Sequence, residues 1–265
     1  MRNALGRVAR GELEEIARAG VAIVLDYDGT LAPIRVERDR AAMRSRTRQL
    51  LEEVARRYPC AVLSGRGRGD LLPRLEGVPL ARIVGNHGAE WDGRAAGNAR
   101  LTRQVQGWRR LLGQQLRGLS GVEIEDKRLS LAIHVRRALD RRSAHAAIER
   151  LAPKLDGARL TPGKQVVNVL GIHAPDKVMA VERLLVELGC RHLIFVGDDD
   201  GDEMVFRSGV PAVIGVRVGW SATTRATYYV PDQRRVDEFL GLLSALRAPG
   251  KGLTGERGPM RASAR

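Results

Sequence analysis

The chain is poor in the residues that mark secreted, membrane-bound or nucleic-acid-stacking proteins. Among 265 residues there are two cysteines, Cys60 and Cys190, and neither lies in a CxxC or Cys/His spacing. That argues against a disulfide framework and against a thiolate metal site, and a reducing, cytoplasmic setting is expected. No apolar run approaches the roughly 20 residues that a membrane helix needs, so no membrane association is expected. The first twenty residues, MRNALGRVARGELEEIARAG, are charged throughout and contain no apolar stretch of the leader type, so a signal peptide is not expected. Aromatic residues make up only 4% of the chain, which leaves few platforms on which bases could stack. Lysine is scarce too. Lys127, Lys154, Lys164, Lys177 and Lys251 are the only ones, and the other forty of the 45 cationic residues are arginine.

What is present is charge and a core. The formal net charge is +14, which raises nucleic acid or an anionic ligand as a partner. The arginines are scattered along the whole chain, as on a solvated surface, so no specific nucleic-acid recognition is expected. A lysine that persists in so arginine-rich a composition is a candidate for work that needs a compact ammonium rather than a fork, with chance persistence as the alternative. Hydrophobic residues are 43% of the sequence, enough for one large domain or a core with a smaller companion.

The segment VAIVLDYDGTLAPI (21–34) runs five apolar residues into two acids. VAIVL reads as a buried parallel strand. CAVLS (60–64) and ARIVGNHGAEW (81–91) repeat the pattern, with helices predicted over 5–19 and 43–58. HLIFVGDDDGDE (192–203) and VPAVIGV (210–216) resume it after a helix from Lys177 to about Leu188, and a closing helix is predicted over 236–246. Between these stretches the rhythm changes. Helices over 100–119 and 140–152 flank the alternating strands of 122–136, and RLTPGKQVVNVLGI (159–172) reads as strand with a turn at Pro162-Gly163. The expectation is an α/β doubly wound parallel sheet with an inserted α+β cap: core 1–93 and 171–248, cap 94–170, disordered tail 249–265.

Three strands therefore end in reactive groups: Asp26 and Asp28, then Ser64, then Asp198, Asp199 and Asp202. In an open parallel sheet the ligand crevice lies beyond the carboxyl ends of the strands, so these groups converge there. So many carboxylates repel one another, and a bound Mg²⁺ relieves this because it takes oxygen ligands and keeps waters that a phosphate can replace. Lys177 adds a fixed positive charge. Any one of these acids could be a turn or helix cap, and Ser64 could cap the next helix. Caps alone do not require acids on two strands and a serine on a third.

DYDGT with SGR, a lysine and GDDDGDE resemble the four motifs of the haloacid dehalogenase superfamily of phosphotransferases. Over roughly residues 20–245, LDYDGTLAPI, SGR, GNHGAE (85–90), EDKRLSLAIHVR (125–136), PGKQVV (162–167) and VGDDDGDEMVF (196–206) resemble the trehalose-6-phosphate phosphatases. The resemblance implies a Mg²⁺-dependent phosphatase acting on a small-molecule sugar phosphate, trehalose 6-phosphate, and a monomer. It makes Asp26 the nucleophile that becomes an aspartyl-phosphate and Asp28 the acid–base that serves the leaving sugar oxygen and then water. Thr30 and Ser64 would hold phosphate oxygens, and Lys177 would neutralise the phosphate and Asp26. Mg²⁺ would sit on Asp26, the Asp28 carbonyl and Asp198, with Asp199 and Asp202 in support. Gly65, Arg66, Asn86, His87 and Gly88 would line the core side of the pocket. Lys127, His134, Arg136, Lys164 and Asn168 would reach the sugar from the cap.

The chain departs from the family pattern at three places. Asn168 stands where a glutamate is usual, Gly201 where a threonine is usual, and Val178 where a glycine follows the lysine. Two other readings stay open at this point: a phosphatase for a different glycosyl phosphate, and a catalytically idle regulatory domain. The remaining histidines, His145, His173 and His192, are expected in structural or surface roles. Trp91, Trp108 and Trp220 are expected in packing, and both cysteines are expected to be buried and inert.

Overall fold

A computed structural model describes residues 1–35, 37, 40–91, 99–163 and 165–247. Lys164, the expected core–cap boundary near residue 94 and the 249–265 tail lie outside the described residues.

After β1 (Arg2–Asn3) and α1 (Arg7–Arg18) come β2 (Val21–Leu25), α2 (Ser45–Arg57), β3 (Cys60–Leu63), α3 (Arg68–Arg74) and β4 (Arg82–Val84). The chain next forms α4 (Ala99–Gln115), β5 (Glu123–Asp126), β6 (Ser130–His134), α5 (Arg141–Leu151), β7 (Ala158–Gly163) and β8 (Val166–Gly171). It returns through α6 (Lys177–Glu187), β9 (His192–Gly197), α7 (Asp200–Arg207), β10 (Val213–Val218), β11 (Tyr228–Val230) and α8 (Val236–Leu246).

Seven strands make one sheet in the order β1-β11-β10-β9-β2-β3-β4, and every pairing in it is parallel. A parallel sheet is covered on both faces, which is why β2 reads as an uninterrupted apolar run. Its alternation sorts the residues between two cores. Val21, Ile23 and Leu25 pack into the layer with α1, α2 and α8, whereas Ala22 and Val24 pack into the layer with α6 and α7. β3 and β9 divide in the same way: Val62, Ile194 and Val196 face the first layer, Leu63, Leu193 and Phe195 the second. The chain winds outward from β2 through β3 and β4, then crosses back to lay β9 on the other side of β2. The reversal between β2 and β9 opens a crevice at their carboxyl ends.

The second sheet has the order β5-β6-β8-β7 and is antiparallel. One of its faces is apolar: Leu131, Ile133, Val167 and Val169 join Val105, Trp108 and Leu112 of α4 and Ile148 of α5 in a separate core. The register sets Ala132 opposite both Glu125 and Asn168, and His134 opposite both Glu123 and Val166. Period-2 alternation therefore gathers Glu123, Glu125, His134 and Asn168 on the other face. The α/β core with its inserted α+β cap is as expected.

Some sequence expectations are corrected. Pro162 and Gly163 are not the turn: they pair with Val167 and Val166 inside the ladder, and Gln165, just before β8, takes the left-handed φ of +63°. Pro162 is tolerated because β7 is an edge strand. The acid segment does not extend β9, which ends at Gly197; α7 begins at Asp200. Trp91 and Trp108 are buried, but Trp220 is 69% exposed. Cys60 is buried and Cys190 only partly so. The short β1, α3 and β11 carry too few residues to show a period and escape pattern reading.

Candidate active site

The loop after β2 has little freedom. The Gly29 amide donates to the Ala32 carbonyl at 2.7 Å and the Ala32 amide to the Tyr27 carbonyl at 2.8 Å. Gly29 adopts φ +81°, and a Cβ there would lie 2.2 Å from the Asp198 carboxylate. Only glycine lets the β2 loop press against the acid at the end of β9. Gln233 fixes the same loop from outside, its Nε2 donating to the Thr30 carbonyl at 3.0 Å.

This packing brings three buried acids together. Carboxylate oxygens of Asp26, Asp198 and Asp202 lie within 4.8 Å of one another. Lys177 enters from the first turn of α6, whose N-cap Asp176 accepts from the Val178 and Met179 amides. Lys177 Nζ donates to Asp26 Oδ1 at 3.1 Å and to Asp202 Oδ1 at 2.6 Å, and lies 3.9 Å from Asp199. Asp202 is fully committed: its Oδ2 accepts from the Asp198 amide at 2.8 Å and the Asp199 amide at 3.0 Å. Asp199 closes the motif as N-cap of α7, in a capping box with Asp202. Asp202 and Asp199 thus shape the turn, and Asp26, Asp198 and Asp199 are the acids that line the cleft. Hard carboxylate oxygens so disposed fit a small divalent cation.

The charges perturb one another. Burial pushes the Asp26 carboxyl up to about 7, the Lys177 ammonium opposing and the neighbouring acids reinforcing the shift. Burial acts downward on Lys177, but Asp199, Asp202 and Asp26 outweigh it and hold the amine well above its usual range. His87 is driven down to about 3 by burial and by the charges of Lys127 and Lys177, so its ring is neutral.

Asp28 sits differently. Its side chain is 36% exposed, and both carboxylate oxygens are held by Arg66, Nε to Oδ2 at 2.6 Å and Nη2 to Oδ1 at 2.7 Å. Arg66 itself is 1% exposed. Its third nitrogen, Nη1, donates to Asp70 at 2.6 Å. Arg66 lines the cleft on its core side, where the resemblance puts it, and its fork is turned to Asp28.

Beyond these groups opens a cleft of about 1210 Å³ between the strand ends and the polar face of the cap sheet. From the core, Asp26, Asp28, Ser64, Gly65, His87 and Lys177 reach it; from the cap, Lys127, His134, Arg136 and Asn168 do. Thr30, Asn86, Gly88 and Asp202 are buried but do not line it. Thr30 Oγ1 is buried without a hydrogen-bond partner. Asn86, at φ +51°, binds cap to core: its Nδ2 donates to the Lys127 carbonyl at 3.0 Å and its Oδ1 accepts from Ser130. Lys127 Nζ donates to the Gly65 carbonyl at 2.7 Å. A Cβ on Gly65 would meet the His87 ring at 2.6 Å, so this glycine serves by close approach. His134 Nε2 lies 2.9 Å from Glu125, and Arg136 donates to Gln165 and to the Arg35 carbonyl.

Sequence reading missed Asp70, Asp176 and Gln233. Only Asp70 left a trace, four residues after Arg66 in SGRGRGD, the spacing of one helical turn. Asp176 and Gln233 act through caps and backbone bonds that no motif displays.

Comparison with known proteins adds the following. The trehalose-phosphatase family model matches residues 24–234. A trehalose-phosphate phosphatase of Mycobacterium tuberculosis is 32% identical over 239 residues, 84% of this chain and 61% of its own length. A trehalose 6-phosphate phosphatase of Zea mays is 28% identical over 254 residues, 84% of this chain and 70% of its own length. In structure, the C-terminal domain of the Candida albicans trehalose-6-phosphate phosphatase superposes with a TM-score of 0.76 at 22% identity, covering 92% of this chain and 98% of that domain.

Proposed function

The chain belongs to the trehalose-phosphatase family, and on that premise we propose that it hydrolyses trehalose 6-phosphate to trehalose and phosphate. The observation that carries this reading is the buried Asp26 carboxylate, 3.1 Å from Lys177, at the floor of a cleft whose far wall is the polar face of the cap. Asp26 attacks phosphorus and the bond to the sugar oxygen breaks, leaving an aspartyl-phosphate. Asp28 delivers a proton to the departing oxygen and then takes one from the water that attacks phosphorus in the second step, releasing phosphate and regenerating Asp26. Lys177 neutralises Asp26 and the phosphoryl oxygens throughout, and the hydroxyls of Ser64 and Thr30 orient them. Thr30 Oγ1 is buried and lacks a partner, which suits a bond to an incoming oxygen. Mg²⁺, held by Asp26, Asp198 and the Asp28 carbonyl, would supply further charge neutralisation for the phosphoryl group.

Selection falls to the cap. His134, Arg136, Lys127 and Asn168 present polar groups where the alcohol would lie, and the resemblance adds Lys164 beside them. Asn168 gives a second reading its support, since it lines the cleft with an amide where the family usually has a carboxylate, which suits a glycosyl phosphate other than trehalose 6-phosphate. The cytoplasmic setting is supported by two unpaired cysteines. No helix among the described residues is long and apolar enough to cross a membrane.

Phosphate release from a panel of sugar phosphates, with Mg²⁺ and with chelator, tests the reading. Trehalose 6-phosphate should be the best substrate, with activity lost in chelator and restored by Mg²⁺. Asp26→Asn should be folded and inactive; substantial activity in that variant refutes the covalent route.

A further inference from the structure

Asp28 is anchored at two levels. Its backbone is fixed by the Gly29 turn and by a bridge to Ala32, but its carboxylate, 36% exposed, could rotate into solvent. A carboxylate that must serve one oxygen atom in two successive steps loses efficiency for every fraction of time it points elsewhere. Arg66 removes that freedom. Its Nε and Nη2 take the two oxygens in the parallel, bidentate arrangement that fixes orientation as well as distance.

Arg66 in turn has little freedom of its own. It is 1% exposed, its guanidinium lies 5.4 Å from the centre of the Tyr27 ring, and Nη1 donates to Asp70 Oδ2. Asp70 Oδ1 accepts from Arg74 Nε at 2.9 Å, and Arg74 Nη1 donates to the Ala41 carbonyl. The series Arg74–Asp70–Arg66–Asp28 alternates in charge and runs from α3 to the cleft. Lys177 holds the nucleophile, and Arg66 holds its neighbour.

We propose that Arg66 is a positioning residue: it sets the rotamer of Asp28 through its bidentate fork, Asp70 holds Arg66 in place, and neither residue is a ligand of the phosphate. This rests on the acid–base role given to Asp28 above. Each nitrogen of the guanidinium already donates to a carboxylate, and the phosphate is given above to Lys177, Ser64 and Thr30. Lysine in its place would keep the charge but lose the fork, because a single ammonium cannot grip two oxygens in one plane.

The leaving group separates positioning from structure. Trehalose departs as a poor alkoxide that needs a proton, whereas nitrophenolate departs without one. Single-turnover product release is measured for trehalose 6-phosphate and p-nitrophenyl phosphate with the full chain and Mg²⁺. For Arg66→Lys, trehalose release should slow by about 10- to 100-fold, as for a misplaced catalytic group, while nitrophenolate release and the Ki of inorganic phosphate change by less than about threefold. Equal slowing of both products would mean a structural role, and a raised phosphate Ki would mean direct phosphate binding; either result overturns the proposal. Asp70→Asn, at a half-exposed position, should show the same selectivity at smaller amplitude. If Arg66→Lys does not fold, Asp70→Asn decides alone, and equal slowing there overturns the proposal. Asp28→Asn separates the two levels. If it slows both products equally, the acid–base role of Asp28 fails. If it is selective and Arg66→Lys is not, only the role of Arg66 fails.

Discussion

The floor of the cleft and its cap wall carry charge under opposite conditions. At the floor, the Lys177 and Asp26 side chains are 4% and 6% exposed, and Asp202 is sealed. On the wall, the His134 and Glu125 side chains are 25% and 30% exposed. A buried ion is tolerated only when partners replace its lost hydration, and this is why Lys177 touches three acids and Asp202 spends both oxygens. A wall ion keeps part of its water and depends less on its partners. The difference teaches where each kind of change is tolerated: the floor is one buried, coupled network that performs chemistry, and the wall is a set of more exposed groups that can be altered to choose a substrate.

The sharpest way to break this contrast is at Lys177. Lys177→Met should leave Asp26, Asp199 and Asp202 uncompensated, costing about 3–5 kcal/mol of stability and lowering kcat by roughly 10³. Denaturant unfolding and phosphate release measure the two effects. A stable variant with near-normal turnover would show that the floor is not a coupled network.

A second expectation concerns pH. The Asp26 carboxyl is raised by burial to about 7 in the folded chain, against about 3.9 unfolded. Between those values the folded form keeps a proton that the unfolded form gives up, so this group favours folding at low pH and opposes it above about 7. Asp26→Asn removes the opposition. In chelator it should stabilise the fold by about 1–3 kcal/mol at pH 8 and by much less at pH 5. Equal shifts in Tm at both pH values would mean that the Asp26 charge is not what strains the floor.

The smallest effect belongs to the wall. Asn168→Glu places a carboxylate beside His87, where the charge of Lys127 is also felt. Charge-assisted bonds to sugar hydroxyls are stronger than those of an amide, so kcat/KM for trehalose 6-phosphate should rise by about 5- to 30-fold, with some loss of stability in the free enzyme because Asn168 is buried. p-Nitrophenyl phosphate, too short to reach the cap, should be unaffected. A fall on trehalose 6-phosphate, with another glycosyl phosphate preferred by the unaltered chain, would assign Asn168 to a different sugar.

The sequence by itself determined most of the strands and helices, because burial on both faces leaves an apolar run and burial on one face leaves a period. It also determined which acids and serine stand at strand ends and which lysine opens α6. It could not assign partners. That Asp202 turns both oxygens inward, that Arg66 grips Asp28, and that Asn86 joins cap to core are outcomes of positions 41–44 residues apart for Asn86, 38 for Arg66 and 25 for Asp202 with Lys177. The pairing of β2 with β3, the approach of α6 to α7 and the docking of the cap bring such residues within hydrogen-bond reach. The physical reason is that hydrogen bonds and desolvation act through space over a few ångströms, whereas a sequence records only separation along the chain.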